Sequence, residues 1–261
     1  MSRLSPFALL TLALAVLACQ PRAADTPAPV ETPAASSSAL PAARQILDRH
    51  VAEVGGREAM QRIQSVKTTS SLAFSGLTGE MTAYAARPNK LLVRTTLAGV
   101  GEIRAGFDGQ IAWSIDPVQG PRLLTGRELD EMKERARFDQ MLKDPATYTS
   151  IQTVQRTEFE GRPVFEVKIV RPSGREETEY YDAETGLQVG QVSTQSSPMG
   201  SMQVTTVMSD YKRFGALLLA TSAIQRLGPQ EITITINSVE YDTVPDSVFA
   251  LPPEIKALSG R

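Results

Sequence analysis

The chain has 261 residues, 41% of them apolar, enough for one large β-rich domain or two small ones once a targeting segment is set aside. Its 27 Lys and Arg against 29 Asp and Glu give a net charge of −2 without a basic cluster, which argues against nucleic acid as a partner. The one cysteine, Cys19, excludes an internal disulfide and a thiolate metal cluster, and the one histidine, His50, excludes a multi-histidine metal centre.

Residues 1–18 open with Arg3 and an apolar run from Phe7 to Ala18. At about a dozen residues the run is too short for a bilayer core that needs ~20, so it reads as a signal peptide. Its end, Val16-Leu17-Ala18-Cys19, resembles the lipobox of bacterial lipoproteins, in which the cysteine is acylated and becomes the first mature residue. The resemblance implies lipidation, such as by palmitate, at Cys19. In a Gram-negative source, Gln20 rather than aspartate after it implies the outer membrane. Residues 19–40 are then the lipidated Cys and a Pro/Ala/Ser tether, with too few apolar side chains to offset ordering entropy. The domain proper is expected over 41–261, with Ser38 as a candidate N-cap and Pro41 in the first helical turn.

From Ala43 the period is helical. Ile46, Leu47, Val51 and Val54 form one stripe, Arg44, Asp48, Arg49 and Glu53 occupy the other side, and Gly55-Gly56 supplies the stop. Ala59, Met60 and Ile63 begin a second short stripe. Turn-separated segments follow: 66–76, 80–86, 90–97, 101–107 and 110–115, with Arg87-Pro88-Asn89 and Asp108-Gly109 as turns. Ile111, Trp113 and Ile115 share one face of the fifth. Over 125–143 the period returns to helix, Thr125 and Glu128 make a capping-box pattern, and Leu129, Met132, Ala136 and Met141 fall near one side.

Strands resume over 151–159, 164–170, 176–182, 187–195, 202–212, 217–227 and 231–241. Phe165, Val167 and Ile169 alternate with charge, as Ile232, Ile234 and Ile236 alternate with Thr233, Thr235 and Asn237. The apolar parity then shifts to Val239 and Tyr241, which predicts a bulge near Asn237-Ser238. About twelve strands and two helical segments predict a mainly β fold, one curved antiparallel sheet plugged by the N-terminal and mid-chain helices.

The ILDRHVAEVGGREAM helix, the GFDGQIAW hairpin, the GRELDEM helix start, the YYDAETGL hairpin, DYKRFG before a strand and VFALP near the end together resemble the outer-membrane lipoprotein-sorting-protein-like family. That family is similar in fold to the lipoprotein localisation factors LolA and LolB. The resemblance covers Ala42 to Pro252 and departs at Ala220, where the family usually has proline. It implies a half-barrel whose concave face receives acyl chains. Ile111, Trp113, Phe165, Val167, Ile232 and Ile234 are then candidate wall residues, with Met132 and Phe138 in a helical lid. The alternative is that the helices fill the concavity.

No HExxH, GxSxG, P-loop or Cys/His arrangement is present. His50 beside Asp48 and Arg49 reads as solvated or structural rather than as a general base, and Glu176-Glu177 and Asp210 read as a wet strand face. Neither a catalytic site nor a cofactor is expected. The expected partners are the membrane, through the anchor, and an acyl-chain or lipoprotein ligand held without chemistry in the concave face. The alternative is an envelope adaptor with a closed cavity that docks a protein partner.

Overall fold

The computed structural model describes residues 39–197 and 200–260. The expected leader, Cys19, the tether and the Ser38 N-cap therefore lie outside the described residues. Among the described residues no helix is long and apolar enough to cross a membrane.

Helix α1 (Ala43–Glu53) forms where the sequence places it, and Ile46, Leu47, Val51 and Val54 are all buried. Gln45 caps its start by accepting the Ala42 N–H at 3.0 Å. Gly55 takes φ +129°, and a Cβ there would lie 2.6 Å from the Ala216 carbonyl oxygen, so only glycine lets the chain turn this close to the sheet. Helix α2 (Arg57–Arg62) follows and buries Met60.

The sheet has thirteen strands, one more than expected from the sequence: β1 (Ser65–Phe74), β2 (Leu77–Ala86), β3 (Lys90–Leu97), β4 (Gly101–Phe107), β5 (Ala112–Asp116), β6 (Gly120–Leu123), β7 (Ser150–Phe159), β8 (Arg162–Val170), β9 (Glu176–Asp182), β10 (Gln188–Ser197), β11 (Gly200–Phe214), β12 (Leu217–Leu227) and β13 (Gln230–Tyr241). The additional strand is the four-residue β6, whose GPRL sequence has no alternation to reveal it. Two antiparallel meanders, β1 to β6 and β7 to β13, join where the first strand pairs with the last, which leaves β6 and β7 as the edges. The expected bulge is present: Thr69 pairs with Ser238 and Ser70 with Ile236, so Asn237 is the extra residue. The β4–β5 connection is longer than a two-residue hairpin, because Asp108 Oδ1 accepts from the N–H groups of Gln110 (2.8 Å) and Ile111 (2.7 Å) and builds an Asx turn.

The mid-chain helix is shorter than its pattern suggests. α3 (Gly126–Ala136) ends where the Phe138 N–H turns to the Pro88 carbonyl (3.1 Å), and 3-10 turns Phe138–Leu142 and Pro145–Thr147 complete the connection. The capping box does not form. Thr125 makes no side-chain cap, and Glu128 instead accepts two hydrogen bonds from Arg122, at 2.8 and 3.0 Å. A bidentate guanidinium outcompetes the Thr125 backbone N–H for that carboxylate.

Directly paired residues in a ladder share a face, so the register divides the sheet into an inner face that carries α1 to α3 and an outer face. On the inner side, α3 places Met132 and Ala136 against Leu91, Phe107, Ala112 and Leu124, while its Glu134 accepts the Ser173 N–H in the β8–β9 turn (3.3 Å). It thus spans both meanders. On the outer side, Phe249 and Ile255 of the C-terminal segment, with α4 (Pro253–Ser259), pack on Leu92 and Trp113.

Candidate ligand-binding cavity

The inner face changes chemistry along a single row. Phe74 pairs with Ile232, Ile232 with Gln225, Gln225 with Thr206, Thr206 with Gln191, Gln191 with Glu179 and Glu179 with Val167. The row therefore passes from apolar side chains through amides and a hydroxyl to a carboxylate, and back to an apolar residue under α1. A neighbouring row runs from Leu72 through Ile234 and Ala223 to Met208.

The apolar end is half-open. Ile232, Ile234, Ile236 and Met81 are only partly buried, and they lie outside the four buried clusters that the helices fill. Leu72 beside them is buried.

The polar part surrounds a cavity of about 320 Å³ that the segment Arg135 to Lys143 faces from above and Glu177, Glu179, Gln191, Thr206 and Gln225 line from the sheet. Glu177 is 2% exposed and Glu179 1%. Glu179 accepts from Lys143 Nζ at 2.5 Å and from the Tyr181 hydroxyl. Burial pushes its carboxyl up, but Lys143, Tyr181 and Arg171 outweigh it and hold the group below the ordinary carboxylate value. Glu177 accepts from Arg171 Nε at 2.6 Å and from Gln191 Nε2 at 3.2 Å. Arg171 lies with its guanidinium carbon 4.9 Å from the centre of the Tyr148 ring, and burial together with Glu179 raises the Tyr148 phenol.

His50 closes this network beneath α1. Its ring meets Tyr181 edge to face at 5.3 Å, and its Nδ1 is buried without a hydrogen-bond partner. Burial and the nearby Lys143 charge lower its pKa to about 4, so the imidazole is neutral at pH 7. Arg49, beside it, donates to the carbonyls of Ala183 (3.1 Å) and Glu184 and ties α1 to the β9–β10 turn.

The structure distributes the eight expected wall and lid residues over three environments. Ile111 and Trp113 are on the outer face under the C-terminal segment, because Leu91 and Leu92 point in opposite directions and Trp113 joins the Leu92 side. They do not face Met132, which packs solidly on the inner face with Leu91 and Phe107. Phe138 is buried with Val51 and Met60, with the Arg87 guanidinium 4.9 Å from its ring centre. Val167 packs under Ile46 and Leu47, and Phe165 borders a void of only about 130 Å³ there. Ile232 and Ile234 alone remain on the half-open floor.

The polar residues were not foreseen. Glu176-Glu177 reads as a wet strand face, and only pairing to Ile169 and Val167 turns Glu177 and Glu179 inward. The available signal was Tyr181, which alternates with both acids and so has to share their face. Among the described residues no group of three or more His, Cys, Asp and Glu is placed to hold a metal ion.

Comparison with known proteins places this architecture. The chain superposes on a LolA superfamily protein from Nitrosomonas europaea with a TM-score of 0.54 at 13% identity, covering 81% of this chain and 99% of that one. The chain has a LolA-like fold. A DUF1329 family protein from Desulfovibrio piger matches with a TM-score of 0.53 at 11% identity, over 80% of this chain and 97% of that one. No family model and no curated protein matches the sequence. The LolA-like sheet is therefore what these proteins share.

Proposed function

We propose that this LolA-like domain is an envelope lipoprotein module that holds an acyl chain, free or on a lipidated client, against its inner face without catalysis. The observation that carries the reading is the half-open apolar stretch of Met81, Ile232, Ile234 and Ile236 beside buried Leu72, which no helix among the described residues fills although it continues the interior surface. An anchor on Cys19, with residues 1–18 removed and residues 19–40 as a tether, would hold the domain at the outer membrane of a Gram-negative envelope. A tethered protein holds or receives cargo at one membrane rather than carrying it between two, so an acceptor role fits better than a shuttle.

The test is native mass spectrometry with organic extraction of the full chain purified from its own host envelope. Acyl-chain adducts are expected on the wild type and on Thr235→Asp, whose side chain points to the outer face, and are expected to vanish from Ile234→Asp, one residue away on the inner face. A clean apo mass, with no uptake of a fluorescent fatty acid, would overturn the reading in favour of a protein-docking adaptor.

A further inference from the structure

The acyl-chain reading leaves the polar half of the inner face without a role, and the residues lining its cavity include more cations than carboxylates. The two carboxylates facing the cavity are already engaged, Glu179 by Lys143 and Tyr181 and Glu177 by Arg171 and Gln191. Two further cations, Arg135 on α3 and Arg175 at the start of the β9 hairpin arm, line the same cavity. Arg175 lies 3.7 Å from Glu177 Oε2 and 3.1 Å from Glu134 Oε2. Yet its Nε is buried without an acceptor, Glu134 Oε2 accepts no hydrogen bond, and among the described residues its guanidinium donates none.

Arg135 meets the complementary problem. Burial and the charge of Arg175 both disfavour its protonated form, against the pull of Glu131 one turn away. Its side chain is exposed to solvent and lines the cavity. A guanidinium presents five donors in a rigid fork matched to phosphate and carboxylate oxygens. An anion between two such forks would give the idle Nε an acceptor and cancel the repulsion. The hydroxyl of Thr206 and the amides of Gln195 and Gln225 line the same space and can complete its shell.

The position suits one end of an amphiphile. Gln225, in the cavity wall, pairs directly with Ile232 on the half-open floor, so head and chain would occupy adjacent strands. We propose that Arg135 and Arg175 form a subsite for the anionic group, a phosphate or carboxylate, of an amphiphile whose chain lies along Ile232 to Ile236. This rests on the acyl-chain reading and names its ligand class.

The experiment is calorimetric titration of the full chain with dodecyl phosphate, dodecanol, dodecyltrimethylammonium and inorganic phosphate, the amphiphiles kept below micelle formation. Dodecyl phosphate is expected to bind about tenfold or more tightly than dodecanol, and the cationic amphiphile more weakly than either. Arg135→Gln is expected to remove that preference while leaving dodecanol affinity unchanged. Because Arg175 also holds α3 through Glu134, Arg175→Lys, which keeps the charge and loses the fork, is its companion variant and is expected to reduce the preference partially. Inorganic phosphate competing as strongly as the dodecyl ester would support the subsite and identify a free anion as the ligand; weak competition would identify the lipid headgroup. Equal binding of phosphate and alcohol would overturn the subsite alone, and so would an Arg135→Gln loss common to both. Binding of none of them would overturn the acyl-chain reading as well.

Discussion

The two ends of the inner face are built from the same kind of strand and are used differently. Under α1, Val167 and Ile169 are fully buried and the adjoining acids are locked to Lys143 and Arg171, so neither apolar surface nor a carboxylate is left over to bind. At the β13 end, Ile232, Ile234 and Ile236 keep partly open faces, and no cation is among them. The difference teaches that a LolA-like sheet does not define its own pocket. What covers it does, and here the helices close one end by packing and charge and leave the other to solvent or ligand.

The sharpest way to break the closed end is Glu179→Gln. The substitution leaves Lys143, whose side chain is 14% exposed, without its charge partner, and a loss of about 3–5 kcal/mol in folding free energy is expected from denaturant titration. If the network is costly to bury rather than stabilising, the double variant Glu179→Leu with Lys143→Met should recover most of the loss. A double variant as unstable as the single one would mean that Tyr181 and the cavity, not the ion pair, depend on Glu179.

The same end should announce itself in acid. His50 has its pKa lowered from 6.5 to about 4, so the unfolded chain takes up a proton at higher pH than the native one. The stability tied to neutral His50 is complete above pH 6.5, declines as the pH falls and is fully lost below pH 4, a change of about 3 kcal/mol. The lowered Glu179 adds a further loss below its own unfolded value of 4.5. In His50→Gln, urea midpoints measured between pH 6.5 and 4 should flatten, while the slope below pH 4.5 persists. An unchanged profile would show that His50 is solvated.

Much of this architecture was legible in the sequence, for reasons that differ by element. The α1 stripe and the Asn237 bulge rest on local period and parity, which pairing does not alter. Trp113 failed as a cavity residue because parity within β5 says which residues share a face but not which of the sheet's two faces that is. Both faces of the sheet at Leu91 and Leu92 are covered, one by α3 and the other by the C-terminal segment, so apolar alternation carried no direction. The acids of β9 failed for the opposite reason. Their burial depends on partners thirty-six and six residues away in sequence, Lys143 for Glu179 and Arg171 for Glu177, whose approach only the folded sheet creates.

Gly190 tests how the far edge is sealed. Its backbone is not in the left-handed region, so the reason for glycine is space: a Cβ would run into the Phe159 ring, which stacks on Tyr180 with centroids 4.3 Å apart. Gly190→Ala has to displace an aromatic ring from that stack, and a loss of about 1–3 kcal/mol is expected in thermal or urea unfolding. Gly190→Ala combined with Phe159→Leu should cost less than the sum of the two, since the smaller side chain frees the space. Additive losses would place the strain elsewhere.

The smallest expected effect is at the open end, where it is also the most diagnostic. Ile169 and Ile234 are the same residue type on the same face, one 0% exposed under α1 and the other partly open on β13. Ile169→Ala is expected to cost about 2–5 kcal/mol, because it removes buried methylenes and leaves a cavity that rigid neighbours cannot fill. Ile234→Ala should cost about 1 kcal/mol or less in the ligand-free chain, since solvent already reaches the side chain and no void forms. A bound acyl chain would cover that surface, so the Ile234→Ala penalty should grow when unfolding is measured with saturating dodecanol, while the Ile169→Ala penalty stays constant. Equal growth at both positions would mean that ligand binding tightens the whole sheet, and growth at neither would place the chain away from β13.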